Sequence, residues 1–357
     1  MSKLKRVLIR VNASRAIGLG HLMRMLGLYR ELMQMGISVT LATNTEGFEI
    51  SSRLGAHTED KFRLSNLVKP SSLSDAKWTI GVAQNWEADL IVLDGYEFDY
   101  AYQTHIRKHG SCALVCIDDM SHLEQYNCDL IVNSSPAAEP GLYKNKTKNT
   151  QIHLGLSYVI LREAFLNYRQ CEQRLFADDA QDILISLGGS DEDNGSQIVL
   201  EALHELSNPN LKITLVVGAL NPHLSELEDS ASRISKNLLM PIRLVKDARN
   251  MPELMSKADV LVSAGGSTVW EAAYIGCPNI VIVTAENQRA GSQAFAAMGA
   301  VRNLGMLASL SKEEIGSKIA SLMKSASDRR RLANIAQSKV DGKGAARIVT
   351  LMRELIN

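Results

Sequence analysis

Val262-Ser263-Ala264-Gly265-Gly266-Ser267-Thr268-Val269-Trp270-Glu271-Ala272-Ala273 is the stretch that decides the fold. A short apolar run meets two glycines and two hydroxyl residues, and a helical pattern follows from Val269. Units of this kind build parallel sheets whose strands are buried under helices on both faces. Ile185-Ser186-Leu187-Gly188-Gly189-Ser190-Asp191 repeats the pattern earlier in the same half. Further strand-like runs lie at 213–217, 242–245 and 280–282, with helical segments between them. Toward the N-terminus a second series appears at 7–11, 37–41, 90–93, 113–117 and 130–132, and a helix over 20–35 is stopped by Gly36. The charged stretch 162–181 separates the two series. The expected fold is therefore α/β, with two doubly wound Rossmann-like domains facing a cleft. Their bounds are 1–161 and 182–340, joined by a connector at 162–181, with a C-terminal helix in 341–357.

The composition agrees with two ordinary globular domains. Of 357 residues, 45% are hydrophobic and 22% charged, which excludes global disorder and fibrous architecture. The 39 Lys and Arg residues balance the 39 Asp and Glu residues, so net charge gives no argument for a nucleic-acid or membrane partner. In the basic start Arg10 interrupts the apolar run after three residues, too few for a signal-peptide core, and no run approaches a membrane span. The five cysteines are an odd, scattered set without a CxxC, as in a reducing compartment. A cytoplasmic protein is expected. Oligomeric state is not legible.

In open α/β sheets, ligands bind beyond the carboxyl ends of the strands, so the strand-to-helix turns hold the chemistry. The first turn contains Gly18-Leu19-Gly20-His21-Leu22-Met23-Arg24. Met23 stands where a dinucleotide fingerprint needs its third glycine. His21 falls at the positive end of the helix, which disfavours imidazolium and leaves a neutral ring able to take a proton. The alternative is an ordinary polar residue at a helix start. Two Gly-Gly-Ser turns in one domain read as backbone nests for a diphosphate, with Ser267 and Thr268 adding hydroxyl donors and capping the helix. There is no GxxxxGK[ST]. Glu271, one turn into its helix, is placed to accept from ribose hydroxyls, or else is a solvated helix residue. Asn287 and Gln288 are neutral amides suited to sugar hydroxyls or acetamido groups, or are loop filler. Metal sites look absent: His105 and His109 sit among basic neighbours on a solvated helix face, and HExxH, GxSxG and Cys/His zinc spacings are missing. Asp118-Asp119 closes a strand and reads as a helix cap, with a place facing the cleft as the alternative. No cofactor is expected.

Several short motifs occur in a fixed order: Gly18-Leu-Gly-His21-Leu-Met-Arg24, Asp94-Gly95-Tyr96, Ile117-Asp118-Asp119, Cys128-Asp129-Leu130, Gly155 through Glu163, Gly188-Gly189-Ser190-Asp191, and Gly265-Gly266-Ser267-Thr268-Val269-Trp270-Glu271 through Glu286-Asn287-Gln288. Together they resemble the UDP-sugar hydrolase family of pseudaminic acid biosynthesis, which removes UDP from a diacetamido-trideoxy sugar. The resemblance covers most of residues 6–300. It implies a GT-B-like fold whose final helix returns to the first domain, and hydrolysis with inversion by water that His21 activates. It further implies substrate contacts at Gly20, Arg24, Tyr96, Arg162, Gly189, Ser190, Asp191, Ser267, Thr268, Glu271, Asn287 and Gln288, with Glu271 on the ribose and the glycine turns on the diphosphate.

One position departs from the family pattern. Arg-x-Asp-x-Ser is usual at the first strand, and this chain has Arg10-Val11-Asn12-Ala13-Ser14. Were that Asp to orient the histidine, Asn12 would hydrogen-bond without supplying charge. A glycosyltransferase using a UDP-sugar donor, and a UDP-sugar-binding paralogue without turnover, remain as alternatives.

Overall fold

A computed structural model describes residues 4–12, 20–44, 61–63, 68–169, 174–203, 206, 211–238 and 241–357. Residues 13–19 of the first glycine turn, Gly18 included, and Cys171 lie outside these. The chain divides into two units, one of Met1–Glu163 with Gly342–Asn357 and one of Ala164–Asp341.

The first unit follows the order β1 (Arg6–Val11), α1 (Gly20–Gln34), β2 (Ser38–Thr43), β3 (Lys61–Arg63), α2 (Leu73–Asn85), β4 (Leu90–Asp94), α3 (Tyr100–His109), β5 (Ala113–Asp118), β6 (Leu130–Asn133) and β7 (Gln151–Leu154). These strands form one parallel sheet in the order β3-β2-β1-β4-β5-β6-β7. Alternation along β1 shows why it is central. Val7, Ile9 and Val11 enter one core with Leu22 and Met25 of α1, while Leu8 enters another with Ala76 and Ile80 of α2 and Ile106 of α3. Ser72 and Asp99 start α2 and α3 by accepting from Asp75 N–H and Tyr102 N–H.

Arg10, which breaks the apolar run in the sequence, is fully buried on the α2 and α3 side of the sheet. Its guanidinium meets Asp75 at 2.7 Å, between the rings of Trp78 and Phe98. Removing one partner strands the other charge in the core. Asp75→Asn is expected to cost about 3–5 kcal/mol, read as a lower denaturation midpoint, and an unchanged midpoint would show the pair to be dispensable.

A short helix, α4 (Glu163–Leu166), is all the regular structure in the described part of the connector. The second unit then runs β8 (Asp182–Ser186), α5 (Gly195–Ala202), β9 (Lys212–Val217), α6 (Leu224–Leu238), β10 (Ile242–Lys246), α7 (Met251–Lys257), β11 (Val260–Ala264), α8 (Thr268–Ile275), β12 (Asn279–Val283), α9 (Glu286–Ala297), β13 (Arg302–Met306), α10 (Lys312–Met323) and α11 (Ala326–Lys339). Its parallel sheet has the order β10-β9-β8-β11-β12-β13. Ile183, Ile185, Val260, Val262, Ile280 and Ile282 build its main core with α5, α6 and α10. The last helix, α12 (Gly344–Ile356), belongs to the first unit, where Ile348, Val349 and Met352 are wholly buried beside α1. Among the described residues no helix is long and apolar enough to cross a membrane.

Both sheets reverse strand order at an inner pair, β1 and β4 in the first unit and β8 and β11 in the second. Such switch points open a crevice at the carboxyl ends of the strands. His21 and Tyr96 follow β1 and β4, and the two Gly-Gly-Ser turns follow β8 and β11.

Candidate active site

In the first unit, β1 leads toward α1, whose first turn carries His21, and β4 ends on Asp94. Val11 pairs with Asp94 across the switch point, which brings the two strand ends side by side. His21 Nδ1 lies 2.7 Å from Asp94 Oδ1, with both side chains buried. Arg24, one turn further along α1, donates from Nε to Asp94 Oδ2 at 2.6 Å and from Nη2 to Asp94 Oδ1. It also reaches Asp119 Oδ2 at 2.5 Å. Burial alone pushes the Asp94 carboxyl up, but Arg24 and His21 outweigh it and hold the group below its ordinary range.

An ionised carboxylate only accepts, so its contact with Nδ1 requires the proton there. Arg24 Nη2 stands 2.9 Å from the same nitrogen. With Nδ1 protonated, that approach places two donors side by side, and Asp94 takes both. In a neutral ring with its proton on Nδ1, Nε2 is the nitrogen that can accept a proton.

Tyr96 sits edge-on to the His21 ring with centroids 4.7 Å apart, and its carbonyl accepts from His122 Nε2 at 2.8 Å. A pocket is lined by His21, Arg24, Tyr96, Asp118, Asp119 and His122, among others. His122 carried no signal in the sequence. Gly20 opens α1 and is exposed, while Arg162, past β7, is not among the pocket-lining residues.

Three expectations change here. Arg24, expected on substrate, has its guanidinium engaged by two carboxylates. Asn12, expected beside the histidine, instead accepts from Arg10 and from Asn44 N–H and donates to Glu97 Oε1 at 2.7 Å. Asp94 has the orienting place, and an aspartate at 12 would confront Glu97 with a like charge. Asp118, read as a helix cap, closes a loop. Its Oδ1 accepts from the N–H groups of Asp119, Met120 and Ser121, and its Oδ2 from the phenols of Tyr126 and Tyr143.

In the second unit the two Gly-Gly-Ser turns follow β8 and β11, neighbours at the switch point. Gly188 has φ +104°, a backbone that side chains rarely adopt. A Cβ at Gly218, past β9, would lie 2.2 Å from the Gly189 carbonyl oxygen, so β9 exits hard against this turn. Ser190 is half-buried in the turn. Asp191, expected on substrate, caps α5 by accepting from Gly195 and Ser196 N–H at 2.8 and 3.0 Å.

At the second turn Ser267 is exposed, Thr268 is half-buried, and the Ser267 hydroxyl makes no capping bond, contrary to expectation. Glu271 is only 5% exposed, which removes the reading of a solvated helix residue. Asn287 is exposed in the first turn of α9. Gln288, expected on sugar, straps two turns together: its Oε1 accepts from Gly265 N–H and Thr284 N–H, each at 3.0 Å. Two N–H donors fix the amide's orientation. Gln288→Ala is expected to lower unfolding stability by about 1–3 kcal/mol, whereas Gln288→Glu, which keeps an acceptor, should lose much less. Equal losses in chemical denaturation would remove the strap.

Comparison with known proteins extends these observations. Residues 183–348 match the glycosyltransferase family 28 C-terminal domain. The spore coat polysaccharide biosynthesis protein SpsG of Bacillus subtilis is 27% identical over 347 residues, 95% of each chain. The UDP-2,4-diacetamido-2,4,6-trideoxy-β-L-altropyranose hydrolase of Campylobacter jejuni is 24% identical over 296 residues, covering 82% of this chain and 97% of that one. Among solved structures, Acinetobacter baumannii MurG superposes with a TM-score of 0.68 at 15% identity, covering 98% of this chain and 99% of that one. The UDP-GlcNAc 2-epimerase of Neisseria meningitidis, bound to UDP-GlcNAc, gives 0.66 at 16%, covering 98% and 100%. The chain thus has the GT-B fold of two Rossmann-like domains, as its strand pattern predicts. More particularly, most of its second unit matches a glycosyltransferase C-terminal domain.

Proposed function

We propose that this chain is a cytoplasmic enzyme that hydrolyses a UDP-linked diacetamido-trideoxy sugar, supplying the free sugar for nonulosonic acid biosynthesis. The carrying observation is the His21–Asp94 pair, which gives a buried, oriented base at the switch point of the first unit. Similarity to the Campylobacter hydrolase over 97% of its length supports the substrate class.

On this reading Nε2 of His21 takes a proton from water as the water oxygen bonds to the anomeric carbon. The carbon–oxygen bond to UDP breaks on the opposite side, and UDP leaves with the electron pair. Backbone N–H groups of the turns at Gly188-Gly189-Ser190 and Ser267-Thr268 meet its charge, and Glu271 accepts from the ribose. Attack opposite the leaving group inverts the anomeric centre.

The match to a glycosyltransferase domain favours a second reading, in which His21 deprotonates an acceptor hydroxyl. Asn12 hydrogen-bonds with Arg10, Asn44 and Glu97 and not with His21, so it gives no support to a protein without turnover. Proton NMR of the protein with UDP-2,4-diacetamido-2,4,6-trideoxy-β-L-altropyranose decides between the two. Hydrolysis predicts UDP and the inverted free sugar with no acceptor present. Release only on adding an acceptor would give the transferase instead.

A further inference from the structure

The two partners of Asp94 have unequal parts. The carboxylate accepts from His21 and twice from Arg24, and Arg24 is anchored on its far side by Asp119. A lone carboxylate beside an imidazole stabilises the imidazolium, which cannot act as a base. Here the carboxylate must orient the ring and yet leave it neutral.

We propose that Arg24 is a positioning residue that neutralises Asp94, so that the carboxylate fixes the tautomer of His21 without holding the ring in its protonated form. The inference rests on His21 being the base in the reading above. Three observations support it. Arg24 offers Nε and Nη2 to the two oxygens of Asp94. Its Nη2 lies 2.9 Å from Nδ1, so a positive charge stands directly against the ring. The guanidinium is held charged, since burial disfavours the cation but Asp94 and Asp119 outweigh it. The groups facing His21 are Arg24 on its own helix, Asp94 at the end of β4 and Tyr96 just after it; Cys116, Asp118, Asp119, His122 and Tyr126 complete the charged and titratable lining of the same pocket.

The test is an NMR titration of His21 in the full chain, without substrate, using labelled histidine. The chain has eight histidines, and the His21 signal is the one that His21→Phe removes. Arg24→Gln removes the cation but keeps donors, and should raise the pH at which His21 protonates by at least about one unit. Arg24→Lys keeps the charge and should stay near wild type. Asp119→Asn removes a negative charge beyond Arg24 and should move the titration down. An unshifted or lowered Arg24→Gln titration overturns the proposal, as does a one-unit rise in Arg24→Lys. Should Arg24→Gln fail to fold, Asp119→Asn decides alone, and any result but a fall overturns it. The titration reads the ring and not turnover. Failure of the hydrolase reading would appear separately, as wild-type protein that releases no UDP.

Discussion

His21→Phe is expected to slow UDP release by about 10²–10⁴-fold while UDP binds with little change, the range usual for losing a general base. The split follows from the assigned roles. The ring acts on water, and the nucleotide is assigned to the glycine turns and Glu271 of the second unit. Phenylalanine keeps an aromatic ring beside Tyr96, so the first turn of α1 should survive. The measurement pairs steady-state UDP release with UDP titration by calorimetry. Near-normal turnover would end the mechanism, and a parallel collapse of UDP affinity would move His21 to nucleotide binding.

Asp94→Asn should be almost as damaging, at about 10²–10⁴-fold, for a different reason. An amide can donate to Nδ1, which moves the ring proton to Nε2 and removes the lone pair needed for attack. The replacement also leaves the half-buried Arg24 with Asp119 as its remaining carboxylate partner, so some stability is lost with it. Single-turnover rates on folded protein separate the two losses. A variant that is destabilised but chemically competent would reduce Asp94 to a structural role.

Much of this arrangement was legible in the chain. Strand–glycine–helix rhythm gave the two α/β halves, and a histidine in the first helical turn gave the candidate base. What stayed hidden depends on pairing across the sheet. Asp94 is 73 residues from His21, and only the β1–β4 register brings them together. Asn12 and Glu97 are 85 residues apart and adjacent for the same reason. Arg10 looked like an interruption because its partner, Asp75, comes from α2. The strands Lys61–Arg63, Gln151–Leu154 and Arg302–Met306 lack a continuous apolar run and stand at sheet edges. Gln288 had the right chemistry for a sugar, and the close packing of two turns gave its carbonyl another use.

The return of α12 to the first unit also sets an order of assembly on the ribosome. Ile348, Val349 and Met352 fill the core that Leu22, Met25 and Leu28 share. Those three residues are translated only after the whole second unit. At about 5–20 residues per second, roughly 10–40 s separate the synthesis of residue 163 from that of residue 356. Through that interval the nascent first unit presents an uncovered apolar face, while the second unit emerges with all of its own core strands. The unit synthesised later therefore completes its core first. The earlier one, which carries His21, completes its core only when its closing helix arrives.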